Sequence, residues 1–212
     1  MRSILGKRRS LFACAFVIAT GVSISLPSTA EASCSQASSL SNSLGKQVTS
    51  IVANASLSPG GRASKFRAIF RKNADFPTMS RFALGKYWKK LPAGSRAEYY
   101  KLVEALVVNV LFGQLESFAG QRYSITTQRC LPKGSKGREF YVEGSVLNAN
   151  GQKMTNVKWW FVKGKSGMKL FDFQVAGIWL TQQKRAEFTS FLQTRRGDIN
   201  ALLKDLRRRT GG

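Results

Sequence analysis

Residue types that support catalysis near neutral pH are scarce in this 212-residue chain. It contains no histidine and only 11 acidic residues. The missing imidazole excludes a serine–histidine–aspartate triad, a cysteine–histidine dyad and nearly every zinc site. Residues 164–167, GKSG, contain a lysine and a serine but lack the upstream glycine and the spacing of a phosphate-binding loop. Any chemistry would therefore depend on isolated carboxylates.

Three acids deserve comparison. Glu139 and Glu143 are four residues apart on a predicted strand and share a face, but no second partner for acid–base catalysis accompanies them. We expect both to be solvated. Asp172 lies in an otherwise apolar strand, where a lone acid is most often held by a hydrogen bond or an ion pair. We predict a structural role for Asp172, and an enzyme that uses it as a base on an apolar substrate is the alternative.

Residues 1–32 have the pattern of a secretory signal peptide. Basic residues precede an apolar stretch at 11–26, and Ala30 and Ala32 form a cleavage pattern. The apolar stretch is shorter than the ~20 apolar residues of a spanning helix, so a retained anchor is the weaker interpretation. We predict cleavage near Ala32, with residues 33–212 as the mature chain. Residues 7–12, KRRSLF, leave open whether export follows the general or the twin-arginine route.

Two cysteines, Cys34 and Cys130, would remain after cleavage. Export places them in an oxidising compartment, which predicts a disulfide between them. Neither belongs to a CxxC motif, so the bond would be structural and not redox-active.

The formal net charge is +23, and the predicted mature chain keeps +20. An exported protein rarely meets nucleic acid and no nucleic-acid-binding motif is present, so we expect no nucleic-acid partner. Anionic membrane surfaces and acidic proteins fit an exported protein better. The simplest interpretation is that the charge maintains solubility.

The hydrophobic pattern is helical, then alternating, then helical again. It predicts helices over about 36–120, four strands at 122–130, 139–148, 153–162 and 169–177, and C-terminal helices over about 181–208. This order is typical of one α+β domain, here a four-stranded antiparallel sheet with helices on one face.

Large apolar side chains are abundant on the predicted strands and helices. Phe171, Phe173 and Val175 alternate on the fourth strand and are predicted to share one face, while Trp160 points opposite to Trp159. A filled core is the simpler interpretation, and an apolar cavity between sheet and helices is the functional one. The candidate cavity residues are Phe76, Met79, Phe82, Leu102, Val103, Leu106, Val110, Phe140, Val142, Trp159, Phe161, Phe171, Phe173 and Val175.

Residues 75–88, DFPTMSRFALGKYW, resemble the signature of the MlaC family of periplasmic phospholipid-binding proteins, also called toluene-tolerance auxiliary components. Shorter similar pieces follow in the same order at 157–161, 171–177, 183–188 and 197–202, and one precedes it at 57–70. Together they cover nearly the whole predicted mature chain.

The resemblance implies a fold similar to nuclear transport factor, with a deep pocket for lipid acyl chains. It implies a monomeric, non-enzymatic periplasmic carrier without a cofactor. The implied cargo is phospholipid, moved between an outer-membrane lipoprotein complex and an inner-membrane ABC transporter with a substrate-binding ring, so that outer-membrane asymmetry is maintained. A related branch is associated with hopanoid biosynthesis, which makes a polycyclic lipid the alternative cargo. An adaptor protein of the envelope with a filled core is a further alternative.

Overall fold

A computed structural model describes residues 29–116 and 119–211, with side chains from residue 31 onward. Most of the predicted signal peptide lies outside these residues. Its last four residues, 29–32, form the beginning of the first helix. Cleavage near Ala32 therefore stays a prediction.

Helices form the first half of the described chain. Ser58 and Asp75 each begin a helix, because their side chains accept hydrogen bonds from the Gly61 and Thr78 N–H groups, both at 3.1 Å. A proline follows each cap in the first turn, where its missing N–H has no cost. The helices are α1 (Thr29–Ala53), α2 (Pro59–Asn73), α3 (Phe76–Leu84) and α4 (Arg96–Glu116), with 3-10 segments at Gly85–Lys90 and Ala93–Ser95.

An antiparallel sheet follows, with its strands in sequence order. The strands are β1 (Tyr123–Lys133), β2 (Glu139–Asn148), β3 (Lys153–Gly164), β4 (Gly167–Val175) and β5 (Ile178–Trp179). The described residues thus form five strands where the sequence predicts four. The extra strand arises because Ala176 and Gly177, with φ of 49° and 84°, reverse the chain and return Ile178 beside Val175. The chain ends in α5 (Leu180–Thr194) and α6 (Ile199–Thr210).

The two faces of the sheet differ in burial. On the inner face, Phe140 and Val142 of β2 and Trp159 and Phe161 of β3 are at most 2% exposed. The residues that alternate with them point outward and are only half-buried. A disulfide joins Cys34 of α1 to Cys130 of β1, with the two Cα atoms 5.6 Å apart. These layers confirm the α+β class, with one face of the sheet packed against helices.

A bulge in β4 changes which face each aromatic side chain occupies. Trp160 pairs with Asp172, but the next residue, Phe161, pairs with Leu170, so Phe171 is an extra residue in the ladder. The Phe171 ring lies 4.6 Å from the Trp160 ring. The predicted common face for Phe171, Phe173 and Val175 is therefore wrong, because one inserted residue reverses the alternation.

None of the described helices combines the length and apolar character needed to cross a membrane.

Candidate functional site

A cavity of about 480 Å³ lies at the end of the sheet where β4 turns into β5. It is bounded by the last turns of α4, the end of β4 and the start of α5. The lining residues are Leu111, Gln114, Phe173, Val175, Ala176, Ile178, Leu180 and Gln183. Its volume falls within the roughly 300–1,000 Å³ of small-molecule sites.

A second cavity of about 240 Å³ adjoins the first. It is lined by Tyr123, Val146, Met154, Thr155 and Val175, so Val175 belongs to both cavities. We call the two together the apolar cleft. Among the described residues, no charged side chain lines it. The cleft therefore suits an uncharged, mostly hydrocarbon group.

The rim of the apolar cleft exposes apolar side chains to solvent. Ile178 is 58% exposed and Met154 is 46% exposed. Gln114 and Gln183 also line the first cavity. At the floor, the Phe173 ring lies 4.4 Å from the Trp159 ring, so the cleft ends directly on the packed inner face of the sheet.

Tyr123 provides a polar group beside the cleft. Burial, and secondly the negative charge of Glu116, raise the pKa of Tyr123 to about 12. The phenol is therefore neutral across the physiological pH range. Glu116 is itself held by Arg62, whose Nε donates to Glu116 Oε2 at 3.1 Å and so ties α2 to the end of α4. Hydrogen bonding to Arg62 lowers the pKa of Glu116.

Asp172 is fully buried and lines neither cavity. Its Oδ1 accepts hydrogen bonds from the backbone N–H groups of Phe173 and Thr181, both at 2.8 Å. Burial raises its pKa above the usual range. Because Thr181 lies in the first turn of α5, Asp172 fixes the start of that helix against β4. Asp172 therefore has a structural role.

The other acids considered above face outward. Glu143 pairs with Arg129 at 2.5 Å and with Lys158 at 2.6 Å, and these hydrogen bonds lower its pKa. Glu139 pairs with Lys133 at 3.5 Å. In the part of the chain that the structure describes, no three cysteine or acidic side chains come together as a metal site.

Residues 42–208 match the family model of the MlaC protein. The chain belongs to the MlaC family. The match includes every residue of the apolar cleft. No curated protein sequence matches the chain.

The fold of this MlaC-family chain also matches a solved structure. It is similar to the phospholipid-binding protein from Ralstonia solanacearum, which was solved in complex with a phospholipid. The TM-score is 0.68 and the identity 20%, over 82% of this chain and 97% of the Ralstonia chain. At this identity, the comparison shows a shared fold.

The fourteen candidate residues of this MlaC-family protein occupy three kinds of position. Phe173 and Val175 line the apolar cleft. Three are half-buried around the core, namely Phe82, Leu102 and Val110. Nine are closed within the core: Phe76, Met79, Val103, Leu106, Phe140, Val142, Trp159, Phe161 and Phe171.

Most residues of the cleft were not identified from the sequence. Met154 and Ile178 lie at strand ends beside turns, where alternation carries little information about burial. Leu111 and Leu180 look like any other core residue of an amphipathic helix. The sequence signal that could have indicated the cleft is the presence of apolar residues directly beside chain reversals, at 151–154 and 176–178.

Proposed function

We propose that this MlaC-family protein is a periplasmic phospholipid carrier that shelters acyl chains in the apolar cleft. The observation that carries the proposal is an uncharged cleft with an exposed apolar rim at Met154 and Ile178. Moving a methylene group out of water is favourable by about 0.8 kcal/mol. An acyl chain therefore crosses an aqueous compartment readily only when an apolar cleft shields it from water. The phospholipid complex of the Ralstonia protein, which has the same fold, supports this cargo.

The carrier role requires binding and release without a chemical step. The buried acid, Asp172, is engaged in holding α5 and lies outside the cleft, which supports a non-enzymatic function. Release follows when a docking partner offers the acyl chains a better apolar environment than the cleft does. No cofactor is required for this exchange.

The proposed partners are those of the family pathway. An outer-membrane lipoprotein complex and an inner-membrane ABC transporter with a substrate-binding ring would exchange phospholipid with a monomeric carrier. The exchange would maintain outer-membrane lipid asymmetry. The proposed location in the periplasm depends on the export segment at 1–32.

Native mass spectrometry of protein purified gently from the periplasm tests the cargo. We expect a bound species with the mass of one diacyl phospholipid, identified after solvent extraction. A polycyclic lipid in its place would assign the protein to hopanoid transport. If no lipid is bound in repeated preparations and none can be loaded from phospholipid vesicles, the carrier proposal is wrong.

A further inference from the structure

The end of the sheet opposite the apolar cleft is strongly basic. The β1–β2 and β3–β4 turns lie side by side there, since Glu139 pairs with both Lys133 and Val162 across the strands. We call residues 133–139 and 163–169 the basic hairpin end. They contain six cations, Lys133, Lys136, Arg138, Lys163, Lys165 and Lys169, and one acid, Glu139.

Most of this charge is not neutralised by the contacts that the lysines make. Lys133 pairs with Glu139 at 3.5 Å. Lys163 and Lys169 instead donate to uncharged oxygens, the Ser33 hydroxyl at 3.1 Å and the Lys72 carbonyl at 2.6 Å. The remaining three cations are exposed, namely Lys136, Arg138 and Lys165. The basic hairpin end therefore presents a net positive surface.

An aromatic cluster lies directly behind the basic hairpin end on the outer face. Tyr141, Trp160 and Trp179 form a triangle with ring centroids 5.4 to 5.9 Å apart, and all three are half-buried. The Lys133 ammonium lies 3.2 Å from the centroid of the Trp160 ring. We call Tyr141, Trp160 and Trp179 the outer aromatic cluster.

The cations and the aromatic rings lie beside one another on the outer face, so a bilayer lying along this face would contact both. Tyr141 and Trp160 lie two residues inward from Lys133 and its partners, which is about 7 Å along a strand. Tryptophan and tyrosine are enriched at the headgroup level of bilayers, and interfacial elements bury their apolar faces about 5–10 Å deep. Lysine stems can lie along the rings while the ammonium groups reach the headgroups.

We propose that the basic hairpin end and the outer aromatic cluster dock on the anionic phospholipid surface of a membrane. Five of the six cations are lysines, which protein interfaces avoid and anionic membrane surfaces attract. The cations lie at the end of β4 away from the cleft, about 26 Å along the strand, whereas Trp179 lies between the cleft residues Ile178 and Leu180. Docking by this surface depends on charge and rings, not on the cargo.

Flotation with lipid vesicles tests the surface. The unaltered protein should bind vesicles containing phosphatidylglycerol at low salt and should not bind pure phosphatidylcholine vesicles. A Lys136→Gln, Arg138→Gln, Lys165→Gln variant should bind about 100-fold more weakly, given roughly fivefold per basic side chain near an anionic surface. A matched control with the same charge loss on α1, α2 and α6 is Lys46→Gln, Lys65→Gln, Lys204→Gln, for which we expect at most about a fivefold loss.

Two outcomes would overturn the proposal. Equal losses in the two triple variants would show that only the total charge matters. No binding of the unaltered protein to phosphatidylglycerol vesicles would reject a membrane ligand and redirect the search to an acidic protein.

Tryptophan quenching by brominated phosphatidylglycerol tests the aromatic part separately. Trp179 belongs to the docking surface, whereas Trp88 stacks on Tyr100 of α4 with ring centroids 5.8 Å apart. We expect Trp179→Phe to lower the quenched fraction of the emission, and Trp88→Phe to raise it by removing an unquenched emitter. The reverse pattern, or no change with Trp179→Phe, would contradict insertion of the outer aromatic cluster.

Discussion

At the scale of single residues, Asp172 shows how a buried acid can be structural. It is completely inaccessible, yet two backbone N–H groups donate to one of its oxygens. Those bonds offset only part of the desolvation that raises its pKa. The cost in free energy of burying the ionised carboxylate should appear as a pH dependence of stability.

We predict that Asp172→Asn gains stability relative to the unaltered protein as pH rises from about 4 to about 8. The unfolded carboxyl loses its proton near its usual pKa of 3.8, whereas the folded one keeps it to higher pH. The unfolded state therefore binds fewer protons in this range, and the contribution of Asp172 to the free energy of unfolding falls as pH rises. Denaturant titrations at both pH values measure the difference.

Glu143→Gln is the control, for which the change of relative stability with pH should have the opposite sign. Lys158 and Arg129 lower the folded-state pKa of Glu143, so its contribution to stability is present above its unfolded pKa and is lost as pH falls through the folded value. Its glutamine variant should lose stability relative to the unaltered protein as pH rises. A shift of the same sign in both variants would contradict the assignment of Asp172 as a desolvated acid.

At the scale of elements, bulges set the shape of the sheet. The β1–β2 ladder shifts register between Thr127 and Arg129. Gly144 of β2 faces this bulge, and a Cβ atom built on it would lie 1.8 Å from the Thr126 carbonyl oxygen. The bulge thus brings the backbone of β1 closer to β2 than any side chain at Gly144 permits.

We predict that Gly144→Ala lowers the free energy of unfolding by about 3 kcal/mol, the upper part of the range for overpacking. Gly164→Ala is the matched control, because its Cβ would come no closer than 3.9 Å to the Gly167 carbonyl oxygen. The control should change stability by no more than about 0.5 kcal/mol. Equal losses of stability in urea titrations of the two variants would show that the backbone of β1 moves at the bulge and accommodates the added methyl group.

The disulfide links two elements that are far apart in sequence. Cys34 and Cys130 are separated by 96 residues, so the bond restricts a large part of the unfolded chain. We predict that the Cys34→Ser, Cys130→Ser variant loses about 2–5 kcal/mol of stability under oxidising conditions. With reductant, the unaltered protein should become as unstable as this variant. A difference that persists under reduction would mean that the serine side chains disturb the packing.

At the scale of the whole molecule, charge and apolar surface are separated. The uncharged cleft and its apolar rim occupy one end of the sheet, and the basic hairpin end occupies the other. This arrangement keeps a strong electric field away from the apolar rim of the cleft. Because the charge is concentrated at the other end of the sheet, the net charge of the chain does not indicate where the apolar cleft lies.

We predict that Val175→Trp reduces phospholipid occupancy severalfold, because the side chain that borders both cavities would fill them. Gln174→Trp is the matched control, since Gln174 is the preceding residue of β4 and pairs with Trp179 on the outer face. The control should keep its lipid. Native mass spectrometry compares the two, and unchanged occupancy in Val175→Trp would place the acyl chains elsewhere.

The sequence by itself determined the order of helices and strands, the caps at Ser58 and Asp75, and membership of the family. Each depends on residues close together in the chain, since helical and strand periods are local properties. The cysteine pair was also predictable, because export and the small number of thiols leave few partners.

Only the tertiary structure decided where the apolar cleft lies. A cavity is the volume left between distant elements after their side chains have packed, so apolar residues that fill the core and those that line a cleft look alike in sequence. Phe171 changed face because of one bulged residue, and Asp172 became the partner of α5 because the chain reverses at Ala176 and Gly177. Such contacts depend on the geometry of the whole fold, which local patterns do not contain.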